Sequence, residues 1–336
     1  MTDASLVAPA ARAPLVALAP GLALAALVAA AGYGLRLAPG LGAFSPMILA
    51  LGLGVAVRAV VGPLPTLRPG VVFAMRRALR AAIVLLGLQL TVGQVAEGGV
   101  GGIAVIAASL GATFLATVAL GRLLGVDAPL AQLIAAGTSI CGASAVLAAN
   151  TAVRGRDEDV AYAVACVTVF GSVAMFAYPH LAAPFGLDAH AYGLWSGASI
   201  HEIAQVVAAA FQEGPDAGEF GVVAKLARVM MLAPVVAALG LYLARGGEGA
   251  ARAPFPWFVL GFVALVALNS AVPLPEAPKA LAIQATPALL AVALAAMGLE
   301  TDLVKLREKG LRPLLLGLAS FLFIASFSLA LVKLTT

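Results

Sequence analysis

Long apolar segments separated by short polar loops make up most of the chain. A helix needs roughly 20 apolar residues to cross a bilayer, so the pattern predicts about eleven membrane-spanning helices. They lie near residues 14–33, 45–61, a stretch ending at 86–90, 101–123, 130–150, 160–178, 191–211, 222–243, 255–272, 281–299 and 314–334. The pattern predicts an all-α polytopic membrane protein, with one integral membrane domain over residues 1–336.

Two short sequence matches indicate an internal repeat. Residues 61–65 (Val-Gly-Pro-Leu-Pro) resemble residues 271–275, and residues 86–90 resemble residues 297–301. The offsets of 210 and 211 residues pair spans two to four with spans nine to eleven. Because seven spans separate the members of each pair, the copies are expected to have opposite orientations, as in the inverted repeats of secondary transporters. The expected repeat halves are residues 14–150 and 191–334.

Composition supports the membrane class. Hydrophobic residues make up 62% of the chain and charged residues 11%, against about 45–50% and 25% in soluble domains. The net charge of +4 is better explained by topology than by nucleic-acid binding. With a cytoplasmic N-terminus, the inside segments contain twelve Lys and Arg residues and the outside segments seven. The positive-inside rule therefore predicts that the N-terminus is cytoplasmic.

The fifth predicted span contains a polar motif, residues 137–145, which read Gly-Thr-Ser-Ile-Cys-Gly-Ala-Ser-Ala. Polar or irregular backbone at membrane depth survives only where it is buried in protein or lines a wet cavity. Gly142 allows the helix to break, and a broken helix presents amide groups that favour anions. Thr138, Ser139 and Ser144 supply hydroxyl groups. The alternative is a face of small residues that packs helices closely.

The seventh predicted span contains a second polar motif, residues 195–205. Ser196, Gly197 and Ser199 lie in it, and both motifs contain the tripeptide Gly-Ala-Ser. This recurrence favours a shared functional role over two unrelated packing faces. We therefore expect both motifs to contribute to one substrate site.

Two ionisable residues follow in the second motif, His201 and Glu202. Ionisable side chains within membrane spans are functional candidates by default. A desolvated carboxyl can carry a proton, and histidine titrates near neutral pH, so both are candidates for proton coupling or gating. On a continuous helix, Glu202 would share a face with Ser199 and Gln205. The alternative is a buried hydrogen-bonded pair that fixes two helices.

Lys225 and Arg228 lie three residues apart at the expected start of the eighth span. On a helix they share a face and form a candidate anion clamp, in which the guanidinium can bind an oxyanion through two hydrogen bonds. The alternative is that both side chains snorkel to the membrane interface.

Three motifs, residues 137–145, 195–202 and 225–229 (Lys-Leu-Ala-Arg-Val), resemble the signatures of the YeiH-type bacterial inner-membrane proteins, which are often labelled sulfate exporters. The resemblance covers most of the chain. It implies membership in the superfamily of cation/proton antiporters and bile-acid-type sodium symporters. It further implies inverted repeats, broken helices that cross at mid-membrane, and a multi-pass location in the bacterial inner membrane.

These observations favour a secondary active transporter that moves a small anion, sulfate or a related sulfur oxyanion, by alternating access with proton coupling. The expected substrate-binding residues are Thr138, Ser139, Gly142, Ser144, Ser196, Gly197, Ser199, Lys225 and Arg228, and the expected coupling residues are His201 and Glu202. The alternative within transport is a sodium- or proton-coupled exchanger that binds the cation at the broken helices. A homodimer within the lipid bilayer is one expected assembly.

Other function classes fit the sequence less well. A serine acting with His201 would make an intramembrane enzyme, but no aspartate lies beside them to complete a triad. The three histidines and two cysteines lack metal-site spacing, so no metal or other cofactor is expected. No phosphate-binding loop of the Gly-x-x-x-x-Gly-Lys-Ser/Thr type is present. A structural or sensor protein without transport activity stays open.

Overall fold

The computed structural model describes residues 15–39, 41, 44–93, 99–243, 257–272, 274–302 and 309–335, and every regular element in these ranges is helical. The α-helices are α1 (Leu15–Leu35), α2 (Pro46–Val61), α3 (Arg68–Phe73), α4 (Leu79–Leu86), α5 (Gly99–Leu123), α6 (Ala128–Ser139), α7 (Ala143–Val153), α8 (Asp157–Ala177), α9 (Ala189–Ser199), α10 (Ile203–Ala210), α11 (Pro215–Met230), α12 (Leu232–Leu243), α13 (Trp257–Ala271), α14 (Glu276–Glu300) and α15 (Leu311–Thr335). A π-helical segment, Ala74–Ala78, joins α3 to α4. The predicted all-α class is confirmed.

Each predicted span is helical, but several are divided. Within the described ranges, six helices are long and apolar enough to cross a membrane, and α2, α7 and α13 are shorter apolar helices. The fifth span is split into α6 and α7, and the seventh into α9 and α10. Breaks in these two spans agree with the expectation of broken helices at the candidate site.

The chain forms two compact units, and the first contains the described residues up to Ala81 together with Pro287–Glu300. Helix α1 packs against α2 and α3. Small residues make these contacts possible: a Cβ on Gly21 would lie 2.8 Å from the Cα of Gly70. Close approach through small residues is typical of membrane helices. Arg68 Nε donates a hydrogen bond to Glu300 Oε2 at 3.3 Å within the same unit.

The second unit contains residues 82–286 and 301–336. Helix α5 packs against α6 and α15, and α9 packs against α11. At the start of α8, Asp159 accepts a hydrogen bond from Lys309 Nζ at 2.9 Å. This bond is the main cause of a raised pKa for Lys309, so the ion pair persists well into the alkaline range.

Helix bounds support the predicted repeat of three helices. Helices α2 and α13 start 211 residues apart, and α5 and α15 both end 212 residues apart. Gly99 and Gly310, also 211 residues apart, open the equivalent helices with φ of +56° and +79°. Only glycine adopts this region of φ without strain.

Two glycine contacts follow the same 211-residue shift. In the first unit, a Cβ on Gly298 would overlap the carbonyl oxygen of Leu51 and lie 2.9 Å from the Cα of Gly54. In the second unit, a Cβ on Gly87 would lie 2.5 Å from the carbonyl oxygen of Phe262 and 3.0 Å from the Cβ of Leu265. Each contact is the other with its partners exchanged, as a repeated unit requires. The opposite orientation of the copies and the repeat halves 14–150 and 191–334 stay predictions.

The cytoplasmic N-terminus also stays a prediction. Five of the basic residues on which it depends lie outside the described residues: Arg12, Arg245, Arg252, Lys305 and Arg307.

We expect Gly87→Ala and Gly298→Ala to lower the unfolding temperature of the purified protein in detergent. The added methyl group meets backbone atoms that cannot rotate away, and overpacking of this kind costs about 1–3 kcal/mol. Gly111→Ala is the matched control, because nothing lies within 4 Å of its Cβ position and alanine favours a helix interior. Equal unfolding temperatures for the three variants would contradict the two contacts.

Candidate functional site

Both polar motifs form interruptions between two half-helices. Helix α6 ends at Ser139 and α7 begins at Ala143; α9 ends at Ser199 and α10 begins at Ile203. We call residues 139–143 and 199–203 together the double break. The prediction that Ser199, Glu202 and Gln205 share one face of a continuous helix is therefore wrong, because the helix ends before Glu202.

The two breaks share a local pattern, Gly-x-Ser-Ile, at residues 137–140 and 197–200. In each, the serine hydroxyl donates to the carbonyl four residues earlier, that of Ala135 for Ser139 and that of Trp195 for Ser199. The tripeptide Gly-Ala-Ser emphasised above is not structurally equivalent in the two motifs. At residues 142–144 it starts a helix, whereas at residues 197–199 it ends one.

Gly142 makes the first break possible. Its φ of +70° lies in the region that favours glycine. A Cβ at this position would lie 2.5 Å from Cγ of Glu202. A side chain at residue 142 would therefore strain the backbone and displace Glu202, which ties the first break to the second.

Lys225 lies on α11 and is fully buried. Its ammonium group donates to the carbonyl oxygens of Ile140 at 3.1 Å, Ile200 at 2.7 Å and His201 at 2.6 Å. An ammonium group has three N–H donors, so these three bonds satisfy it. One side chain thereby holds the carbonyl ends of both half-helices, α6 and α9.

Arg228, one turn further along α11, is also fully buried. Its guanidinium donates to the carbonyl of Ser139 at 2.6 Å, to that of Ile200 at 3.0 Å, and to that of Thr138. Carbonyls at helix C-termini are unsatisfied and carry partial negative charge, which cations stabilise. The snorkelling alternative is wrong for both side chains, and neither residue counts as an outside loop cation. The expected anion clamp is engaged by backbone carbonyls.

Glu202 lies at the opposite, amide ends. It caps α10, where its side chain and that of Gln205 form a reciprocal capping box. Its Oε1 also accepts the backbone N–H of Ala143 at 3.4 Å and the hydroxyl of Thr168 at 3.1 Å. The carboxylate therefore occupies the N-terminal ends of both α7 and α10, where the helix dipoles favour negative charge.

The other expected substrate residues have mostly structural contacts. A Cβ on Gly197 would lie 2.6 Å from the Cβ of Ala224, so this glycine allows α9 to approach α11. The hydroxyl of Ser199 accepts a hydrogen bond from Tyr178 at 2.9 Å. Ser196 is buried in the last turn of α9, whereas Ser144 is exposed on the first turn of α7.

His201 is buried in the second break, and its ring lies 6.1 Å from that of Phe321. Its Nδ1 has no hydrogen-bond partner among the described residues. Cys141 in the first break is a free, buried thiol. Within the described ranges, no group of three or more His, Cys, Asp or Glu side chains could hold a metal ion.

Sequence reasoning missed Thr168 and Ser172 on α8. Besides the bond from Thr168 to Glu202, Gln205 Nε2 donates to the Thr168 carbonyl at 2.9 Å and to Ser172 Oγ at 3.2 Å. The available signal was the i, i+4 spacing of two hydroxyl residues around Gly171 in an otherwise apolar span. Gly171 leaves room for the amide, because a Cβ there would overlap Gln205 Oε1.

We expect Lys225→Met and Arg228→Met to lower the unfolding temperature markedly even without added anions. Each leaves three buried carbonyls without a donor, and an unsatisfied buried group costs about 1–3 kcal/mol. Lys279→Met, on the first turn of α14, is the control and should leave stability unchanged. If Lys225 and Arg228 served only to bind substrate, the ligand-free variants would melt like the wild type.

Comparisons with known proteins agree with the motifs. Residues 20–317 match the model of the family described as conserved hypothetical protein 698. The UPF0324 membrane protein TauZ of Paracoccus denitrificans is 42% identical over 319 residues, which cover 92% of this chain and 93% of TauZ. The UPF0324 inner membrane protein YeiH of Escherichia coli is 38% identical over 315 residues, 90% of each chain. The chain therefore belongs to the UPF0324 family of bacterial membrane proteins.

Proposed function

We propose that the protein is a secondary active transporter that moves a small anion by alternating access, with the anion bound at the double break. The supporting observation is the separation of buried charge around it. Lys225 and Arg228 hold the carbonyl ends, and Glu202 holds the amide ends. Charged groups in a membrane span are costly and mark ion or substrate pathways.

The donor set favours an anion over a cation. A sodium ion needs oxygen ligands, and the carbonyls at the break are the obvious candidates. Those of Thr138, Ser139, Ile140, Ile200 and His201 already accept hydrogen bonds from Lys225 or Arg228. Two cations and one carboxylate leave an excess of one positive charge, which a bound anion would neutralise.

Glu202 supplies the coupling in this proposal. Helix N-termini bind anions, and the Glu202 carboxylate occupies both of those available at the double break. A substrate anion must therefore displace the carboxylate or wait until it is protonated. Protonation removes the negative charge from the amide ends, so lower pH strengthens anion binding. His201, whose Nδ1 lacks a partner among the described residues, is the second candidate for this proton.

The same contacts support a function without catalysis. The hydroxyl proton of Ser199, the serine nearest His201 in the sequence, is donated to the Trp195 carbonyl at 2.6 Å. A serine nucleophile would need to donate that proton to the histidine.

The test is a thermal-shift screen of purified protein against sulfate, sulfite, thiosulfate, taurine, small carboxylates and sodium. The motif resemblance makes sulfur oxyanions the first class to test. A ligand at 100 times its Kd stabilises the native state by about 2.7 kcal/mol, so we expect one anion to raise the unfolding temperature. The rise should be larger at about pH 6 than at about pH 8, because Glu202 then binds a proton more often.

Glu202→Gln should bind the same anion with little dependence on pH, because glutamine carries no charge to displace. Glu158→Gln is the matched control, since the Glu158 side chain is 74% exposed, and it should behave like the wild type. Stabilisation by sodium alone, lost in Glu202→Gln, would replace the anion transporter with the cation exchanger. Uptake of the stabilising anion into proteoliposomes, driven by an inward proton gradient, then tests transport itself.

A further inference from the structure

Three hydroxyl side chains on α5 stand apart from the others in this protein. Ser109, Thr113 and Thr117 are fully buried, and their hydroxyl oxygens have no hydrogen-bond partner among the described residues. They are spaced four residues apart, so they form one ridge along the helix. We call these three residues the hydroxyl ridge.

Serine and threonine within a helix can always donate to the carbonyl four residues earlier. Elsewhere in this protein they do so, and Thr286, Ser320 and Ser328 are examples with bonds of 2.6–2.8 Å. The hydroxyl ridge departs from this pattern at three consecutive positions. Buried polar groups without a protein partner are usually satisfied by water or a ligand.

The ridge lies on the side of α5 that faces α15. At one end, a Cβ on Gly121 would lie 3.4 Å from Cδ2 of Leu316. At the other end, α9 approaches both helices: a Cβ on Gly102 would lie 3.8 Å from Leu194, and Trp195 donates to the carbonyl of Ala325. Helices α5 and α15 are therefore antiparallel. Their Gly121 and Leu316 ends are together.

The 211-residue shift relates the two facing helices. Ser109 corresponds to Ser320 and Thr117 to Ser328, and all four residues are fully buried. Both helices thus carry hydroxyls at equivalent positions of the repeat. Only on α15 are those hydroxyls bonded to their own helix.

The ridge reaches the level of the double break. A Cβ on Gly121 would also lie 2.6 Å from the Cβ of Ala131, where α5 and α6 begin to run side by side. Thr113 and Ser139 each lie eight residues beyond these contact points, which is about 12 Å along either helix. The middle of the ridge is therefore level with the end of α6.

A pocket of about 450 Å³ lies at the other end of this route. It is lined by the loop after α5 and the start of α15, including Asp127, Lys309 and Arg312. Gly121 and Leu316 lie one turn deeper and separate the pocket from Thr117. Their contact closes the route in this structure.

We propose that the hydroxyl ridge lines a hydrated path by which a small anion travels between this pocket and the double break. The inference rests on the proposed transport function for the sign and size of the solute. Hydroxyls suit such a path, because they can donate to an anion or to its water without binding it strongly. The open side of the path would appear when Gly121 and Leu316 separate.

Cysteine accessibility tests the path without a known substrate. Ser109→Cys, Thr113→Cys and Thr117→Cys are made in a chain carrying Cys141→Ala and Cys166→Ala, and labelling by 2-sulfonatoethyl methanethiosulfonate is followed by mass spectrometry. Thr286→Cys is the control, since Thr286 is buried but its hydroxyl is bonded within its helix. If the alanine background does not fold, the wild-type background is used and its own rate is subtracted.

Because a thiol must meet water and reagent to react, we expect the ridge cysteines to be labelled at least about tenfold faster than the control. The sulfonate reagent should also react faster than its trimethylammonium counterpart. Ridge rates no faster than that of Thr286→Cys would overturn the path, and a preference for the cationic reagent would overturn its anion character. Fast labelling in a protein that no tested anion stabilises would support a hydrated path while the proposed function fails.

Discussion

Two cations on a single helix make both interruptions of the membrane helices possible. A helix that ends inside a membrane leaves several carbonyls without donors, and no water is present to replace them. Lys225 and Arg228 bind five of these carbonyls from both breaks. Burying two cations is expensive unless they are fully hydrogen-bonded, so the cations and the carbonyl ends each stabilise what the other would otherwise destabilise.

The amide ends are treated differently, and the asymmetry carries the functional argument. They face one carboxylate, on a residue whose charge depends on pH and whose side chain reaches both half-helices. A guanidinium keeps its charge under any physiological condition. The positive half of the site is thereby permanent, while the negative half can be removed by a proton or replaced by another anion. This difference is what favours anion exchange over a fixed structural ion pair.

Hydropathy was sufficient to locate the helical segments, because a bilayer imposes a length and an apolar composition that a sequence displays directly. It also located both polar motifs, since hydroxyl and ionisable residues are conspicuous between alanines and leucines. It could not show that Lys225 binds carbonyls 85 residues earlier in the chain, because donors and acceptors on the backbone leave no trace in residue types. The same limit explains why Thr168 was missed and why Gly-Ala-Ser was emphasised over Gly-x-Ser-Ile.

The distance along the chain between the first break and its cations has a consequence for biosynthesis. Residues 138–140 leave the ribosome 85 to 90 residues before the side chains that will bind their carbonyls. At about 5–20 residues per second, that interval lasts roughly 4 to 18 seconds. During it, the segment that becomes α6 and α7 must either remain a continuous helix or keep its open carbonyls in water. The interruption can therefore become permanent only after α11 has entered the membrane, which makes the site one of the last parts of the protein to form.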